Sequence, residues 1–584
     1  MKNDTQPKTT LQDIRMAHKI AERNKNYNWA KNGVIYQIYP LTFNYATGSK
    51  SDPYQGSYGN LKGITEKADY VKSLGVDAIW MCPFYKWNRM GFGYDITDYE
   101  EISPMFGTKE DLKELIDTYH SKNIKVIIDM VLNHCSCENE WFKKSIKKEE
   151  PYTDYFVWAD AKGFDRKGNP IPPNNWESTW DSSGTSAWCW NKERKQFYMH
   201  SFDYTMPNLN INNPKVQEKL LQIAKFWFDM GVDGFRLDGT CHFGYDPKLR
   251  DNPIIGENTT PTLPIDDILA EKGKQMRIYD INHKLGREFI DRLKELSNSY
   301  KPSKKLLAEY IFDKGIHGNR KGAENLRNSI CDTFYTGALR GGIEDFRAGV
   351  ESMLKPQKIN NKVELPISED GSRINWALSN HDMERVATRW FGKDATREKT
   401  TLAMKMLLSL PGSICLFQGE ELGLPNPDIK RAKNPDNDPL QLSPIVGMPW
   451  DGARTSIPFT HQGTNMWLRP TPEQRILAAS RQEKNPNSML NATRKAIRQR
   501  KSSKILSREG YVDFIDTEDS KVIAFIRSDK ERKNKIALCF NFTDKQSKVR
   551  IPLPNNKFKM VTVQPLSTLQ CDMNTFVKLK QQTR

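Results

Sequence analysis

The sequence predicts a (β/α)8 TIM barrel with an irregular inserted domain after its third strand and an antiparallel β domain behind it. Three observations lead there. Eight short apolar runs alternate with helical stretches over most of the chain. A stretch rich in Trp, Asn, Pro and Ser breaks that rhythm once, at 135–205. Beyond Arg500 the helical stretches stop, and short alternating strands follow one another across polar turns. One elaborated barrel accounts for this order better than two doubly wound domains.

Residues 1–30 form a polar leader, with Leu11, Ile14, Met16 and Ile20 at helical spacing but without a strong apolar face. The first strand is VIYQIYP (34–40), followed by a Gly- and Ser-rich loop and a helix over 61–74. GVDAIWMCP (75–83) is the second strand, DLKELIDTYH (111–120) a helix, and IKVIIDMV (124–131) the third strand. After the insertion come a helix at 213–230 and a fourth strand, GVDGFRLD (231–238). LLAEYIF (306–312), SICDTFY (329–335), INWALSN (374–380) and SICLFQGEE (413–421) complete the eight, with TLAMKMLLSL (401–410) helical between the last two. Apolar runs without alternation are expected of strands covered on both faces in a parallel sheet. The barrel is thus assigned to 31–134 and 206–500, and the terminal β domain to 501–584, built from YVDFIDT, KVIAFIRSD, KIALCFNFTD, KVRIPLP and KMVTVQPL. A long excursion inside a domain is usually functional, and this one would lend aromatic rings to the barrel mouth.

Composition narrows the function classes. Lys plus Arg number 88 against 72 Asp plus Glu, a net charge of +16. Such a balance could suit nucleic acid or an anionic membrane. The densest basic runs, at 143–148 and 494–504, have no nucleic-acid module around them, so no nucleic-acid partner is expected. The nine cysteines are scattered without CxxC spacing, and Cys135 and Cys137 lack partners for a zinc or redox site. The N-terminal residues hold no signal-peptide core and no 18-residue apolar run occurs, so a cytoplasmic location and no membrane partner are expected.

The strand ends carry the chemistry. Strand three closes on Asp129 and Asn133-His134, strand four on Arg236-Leu237-Asp238, strand five on Glu309, and strand seven on Asn380-His381-Asp382. Arg236 and Asp238 point the same way because side-chain direction repeats every second residue. Each alone reads as a helix cap or turn. Together, at one end of successive barrel strands, they gather carboxylates, two histidines and an arginine without a metal-ligand spacing or phosphate loop. Glycosidic bond cleavage needs such a set.

The segments DMVLNH (129–134), GFRLD (234–238), AE (308–309) and NHD (380–382) resemble the ordered signature of the α-amylase superfamily of retaining α-glycosidases and transglucosylases. GYDITDY (93–99), PNNWES (173–178), MPNLN (206–210), DPKLRDNP (246–253) and LFQGEELGLP (416–425) look most like the α-glucosidase and oligo-1,6-glucosidase branch. The resemblance spans about residues 33–500 and implies roles. Asp238 would be the nucleophile, Glu309 the general acid and then base, and Asp382 the group that holds the distorted sugar. Retention asks for the first two carboxyls about 5–5.5 Å apart. Arg236 would keep Asp238 ionised. His134, His381 and Asp95 would bind sugar hydroxyls, and Tyr94 would offer a stacking face. The small Gly239 after the nucleophile tilts the linkage toward α-1,4 over α-1,6.

Three departures from the family pattern stand out. The stretch NYATGSKSDPYQGSYGNLKG lacks the carboxylate spacing of a calcium loop, so neither a structural calcium nor another cofactor is expected. Asn208 replaces the aspartate usual in MPNLN. Gln441 and Ile445 stand where arginines are usual, leaving Arg431 or Arg389 as substitute partners for Asp95. The expected activity is a retaining α-glucosidase on short oligosaccharides. The alternatives are a transglucosylase of trehalose synthase or sucrose-converting type, and a catalytically dead relative. The latter should have lost the triad. The oligomeric state is not readable from the sequence.

Overall fold

A computed structural model describes residues 28–46, 58–89, 91–179, 186–254, 275, 277–310, 326–339, 341–359, 362–427, 443–451 and 470–573. Eight parallel strands close into a barrel in chain order. They are β1 (Val34–Ile38), β2 (Ala78–Met81), β3 (Lys125–Met130), β4 (Gly234–Leu237), β5 (Lys305–Glu309), β6 (Thr333–Ala338), β7 (Ile374–Ala377) and β8 (Ser413–Phe417). β8 pairs back on β1 with Ile35 opposite Cys415.

Alternation along each strand divides the residues between two environments. Ile35, Ala78, Trp80, Ile127, Leu307, Tyr335, Ala377 and Cys415 pack together inside the barrel. Their strand neighbours, such as Phe235, Leu237, Ile128 and Ile414, join the larger core outside it, under the helices. Both faces are dry, which is why these strands read as unbroken apolar runs. One step further along the inward face, the interior turns polar at Gln37, Asp129, Arg236 and Glu309, all buried.

The covering helices follow their local signals. Helix Lys109–Ser121 begins with a capping box between Thr108 and Asp111, and helix Pro214–Asp229 with an Asn213 cap and Pro at its first position. The latter buries Val216, Leu220, Ile223, Ala224, Trp227 and Phe228 along one face. The single helix expected over 61–74 is two, Leu61–Glu66 and Ala68–Leu74, parted at Lys67. The sixth strand runs later than 329–335, and its pairing with β7 shifts register between Tyr335 and Ala338.

The insertion is better ordered than expected. It holds a helix, Glu140–Ile146, a three-stranded sheet of Trp158–Ala159, Gln196–Met199 and Trp188–Asn191, and a two-stranded hairpin. Strands of two to four residues leave too little periodicity to read from sequence.

The terminal β domain contains β9 (Tyr511–Ile515), β10 (Val522–Ser528), β11 (Lys535–Asn541), β12 (Ser547–Leu553), β13 (Lys557–Val563) and β14 (Ser567–Asp572). β14, which the sequence did not announce, pairs antiparallel with β11. The buried Arg527 of β10 donates to the carbonyl of Ser409 on the barrel (2.9 Å), joining the two parts. Two arginines of the basic run 494–504, Arg494 and Arg500, also face inward. Arg494 pairs with Glu483 (2.8 Å), and Arg500 donates to the carbonyls of Leu408 and Leu410. All nine cysteines are free, and among the described residues no helix is long and apolar enough to cross a membrane.

Candidate active site

The site grows from the polar layer at the C-terminal ends of the strands. Arg236 stands directly opposite Asp129 of β3 and Leu307 of β5 in the strand register. Its guanidinium, 1% exposed, is the hub. Nη1 donates to Asp129 at 2.9 and 3.0 Å and to Asp238 at 2.6 Å, while Nη2 pairs with Glu309. One cation therefore holds three carboxylates from β3, β4 and β5. Trp80 supports it from β2, with its ring 5.0 Å from the guanidinium and its Nε1–H directed at Asp129 (3.2 Å).

The nucleophile candidate and the acid candidate also meet through the backbone. Gly239 N–H donates to Glu309 Oε2 (2.9 Å), and the Thr240 hydroxyl donates to the Glu309 carbonyl. Gly239 is left-handed at φ 52°, a conformation glycine adopts without steric cost. A β-carbon there would stand 3.3 Å from the Phe202 ring.

The remaining predicted residues line the same mouth. Asp382 is the most open carboxylate of the set, with its side chain 29% exposed, and its Oδ1 lies 3.3 Å from His381 Nε2. The loop carrying both is braced from below. Ser379 Oγ accepts from Val386 N–H (2.9 Å) and donates to buried Glu420 (3.0 Å), whose pKa burial pushes up to about 7. Arg385 ties the same loop to the carbonyls of Gln418 (2.8 Å) and Pro444 (2.7 Å). His134 packs edge-on against Phe202 at 5.1 Å. Asp95 is fully buried, and Tyr39 stands within the field of both Asp95 and Asp382.

Tyr94, expected to offer a stacking face, is also hydrogen-bonded. Its hydroxyl reaches His381 Nε2 (2.7 Å) and Asp129 Oδ2 (3.1 Å), so it joins the hydrogen-bonded network rather than only presenting a ring. Arg389 directs its guanidinium to the carbonyls of Glu384, Leu339 and Leu378. Ile445 is buried, whereas Gln441, Arg431 and residues 47–57 of the loop after β1 lie outside the described residues. Asn208 is held by neutral partners, accepting from Ser201 N–H (2.8 Å) and donating to Ser201 Oγ (2.7 Å).

Charge in the site is set by burial against a shortage of cations. Burial pushes Asp129 up to about 6, against the pull of Arg236. Asp238 is held well above the ordinary carboxylate range by burial, with Glu309, Asp129 and Asp382 adding to it. Arg236 does lower Asp238, as expected, but it is shared among three carboxylates and is outweighed. His134 and His381 are both driven down to about 3 by burial and are neutral at working pH.

Sequence reasoning missed Gln37, Trp80 and Phe202. Gln37 was the readable one, a lone amide in the otherwise apolar run VIYQIYP.

Comparison with known proteins agrees with this geometry. Residues 37–509 match the alpha amylase catalytic domain, and 511–575 the alpha amylase C-terminal all-beta domain. A probable alpha-glucosidase of Rhizobium meliloti is 32% identical over 543 residues, covering 90% of this chain and 91% of that protein. An oligo-1,6-glucosidase of Saccharomyces cerevisiae is 31% identical, covering 91% and 93%. Among solved structures, an alpha-glucosyl transfer enzyme superposes with a TM-score of 0.77 at 31% identity, covering 93% of this chain and 99% of that one. The chain belongs to the α-amylase family and is a retaining, α-glucosidase-like glycoside hydrolase.

Proposed function

We propose that the protein hydrolyses terminal α-linked glucose from short oligosaccharides by double displacement, favouring α-1,4 over α-1,6 linkages. The observation that carries this reading is the single guanidinium of Arg236 bridging Asp238 and Glu309, which sets a nucleophile and an acid side by side. Asp238 attacks the anomeric carbon as Glu309 protonates the departing oxygen. Glu309 then takes a proton from water, which releases glucose and restores Asp238. Asp382, open to the mouth, holds the sugar's hydroxyls through the oxocarbenium-like transition state. Neutral His134 and His381, with Asp95, bind the remaining hydroxyls. Their neutrality suits them to exchange hydrogen bonds with a neutral sugar. The small residue after the nucleophile, Gly239, supports the α-1,4 preference. No cofactor takes part in this reading, and it places the enzyme in the cytoplasm.

A second reading, transfer of glucose to another sugar, is favoured by the 31% identity to the alpha-glucosyl transfer enzyme. Both readings use the same residues and differ in the acceptor. Product chromatography after incubation with maltose, isomaltose, sucrose and trehalose, with Asp238→Asn as control, separates them. Glucose released from maltose, and absent in the variant, supports hydrolysis. New oligosaccharides without matching glucose support transfer. No turnover of any of the four overturns both.

A further inference from the structure

A chain of hydrogen bonds runs from the first strand of the barrel to the central arginine. Gln37 Nε2 lies 2.9 Å from His381 Nδ1, His381 Nε2 lies 2.7 Å from the Tyr94 hydroxyl, and that hydroxyl lies 3.1 Å from Asp129 Oδ2. Asp129 then grips Arg236. We propose that Gln37 is a positioning residue that fixes His381 in the tautomer carrying its proton on Nε2, the nitrogen that faces Tyr94 and Asp382. The inference rests on the reading of His381 as a sugar-binding residue.

The directions of the bonds are interdependent. Asp129, as the carboxylate partner of Arg236, accepts the Tyr94 proton, so the Tyr94 oxygen must accept from its other neighbour. That neighbour is His381 Nε2, which must therefore carry the proton. A neutral imidazole then has a bare Nδ1, which needs a donor. The Gln37 amide supplies it, with Cys82 Sγ a second acceptor at 3.3 Å. With the amide reversed, Nδ1 would carry the proton, Nε2 would accept from Tyr94, and Asp129 would lose the Tyr94 hydrogen bond. Gln37 is fully buried, so no water competes for either face of its amide. The charged groups acting on the ring are Arg236, Glu309 and Asp382, with Tyr39 and Trp80 packed about it. A tautomer fixed this way keeps the His381 Nε2 proton on the Tyr94 oxygen and the Tyr94 proton on Asp129 before substrate arrives, so binding need not reorganise the network.

The test is the 15N spectrum of the histidine-labelled enzyme, with the His381 signals identified by their loss in His381→Asn. The expected pattern is a protonated Nε2 and a bare Nδ1 in the wild type. Gln37→Glu replaces the donor with an acceptor and should move the proton to Nδ1 or produce an imidazolium. Gln37→Met keeps the volume, removes the donor, and should mix the tautomers. With α-glucosides both variants should lose about tenfold in kcat/KM, mainly through KM. A protonated, neutral Nδ1 in the wild type would overturn the proposal, as would an unchanged pattern in both variants. The spectrum is read without turnover. The expected pattern in an enzyme that cleaves no α-glucoside would uphold the tautomer and sink only the substrate reading.

Discussion

Asp233 and Asp238 stand at the two ends of β4, and their side chains are equally exposed, at 11%. Their acidities nevertheless move in opposite directions. Burial alone would raise Asp233, but His120 at 2.5 Å, the Val126 N–H at 2.9 Å and Lys125 at 3.1 Å hold it below its ordinary value. Burial also raises Asp238, and there the Arg236 guanidinium is shared with Asp129 and Glu309, so the rise prevails. Equal exposure, with deeper burial and a shared cation at Asp238, separates a carboxylate that anchors the barrel floor from one poised for reaction. An excess of carboxylates at the mouth costs stability, and the matched cluster at the floor contributes it.

The comparison can be broken at either end. Asp238→Asn should lower kcat by about 10^4-fold or more, since it removes the nucleophile and not merely a contact. Its melting temperature should stay level or rise, because an undercompensated buried charge is removed with it. Rates and thermal melts on the same preparation check both halves.

Gly239→Val is next. The left-handed backbone and the contact with Phe202 mean that a branched side chain must displace the turn after β4, whose Gly239 N–H holds Glu309. A misplacement of this kind should cost about 10^2-fold in kcat on every linkage. A simple switch to α-1,6 substrates at full rate would contradict the geometry.

The pH profile sharpens the comparison. Asp129, at about 6 in the folded protein, becomes protonated as pH falls through that value and weakens its hold on Arg236. The acid limb of kcat/KM should lie near pH 6 and move in Asp129→Asn. The sign for stability is opposite. A raised carboxylate favours folding below its unfolded value, and that contribution is lost as pH rises through about 6.

Asp233→Asn should have the smallest effect on turnover and a clear one on folding, about 1–3 kcal/mol by denaturant titration. Its lowered pKa means that the stability at stake is present above the unfolded aspartate value and is lost as pH falls through the folded one. A large loss of activity without a loss of stability would erase the distinction between floor and mouth.

The sequence exposed the site where a polar residue interrupts a two-sided apolar strand. Asp129, Arg236, Asp238 and Glu309 fall on the inward parity of β3, β4 and β5, which is why strand position alone brought them together. Other features depended on partners far along the chain. Gln37 and His381 are 344 residues apart, and no local pattern links them. The Tyr94 hydroxyl could not be paired before its loop was placed. Arg236 was counted as the partner of Asp238 alone, when it also serves Asp129 and Glu309. β14 was hidden by its polar edge residues, and the break at Lys67 by apolar spacing that continues across it.

The central claim is that Asp238, not another carboxylate of the cluster, bonds to the sugar. The direct measurement is mass spectrometry of peptides after trapping with a fluorinated α-glucosyl fluoride, which forms the glycosyl-enzyme faster than it is hydrolysed. The account predicts a glycosyl mass on the peptide containing Asp238, absent in Asp238→Asn. A label on Glu309 or Asp382, or hydrolysis that proceeds with inversion and leaves no label, would contradict it.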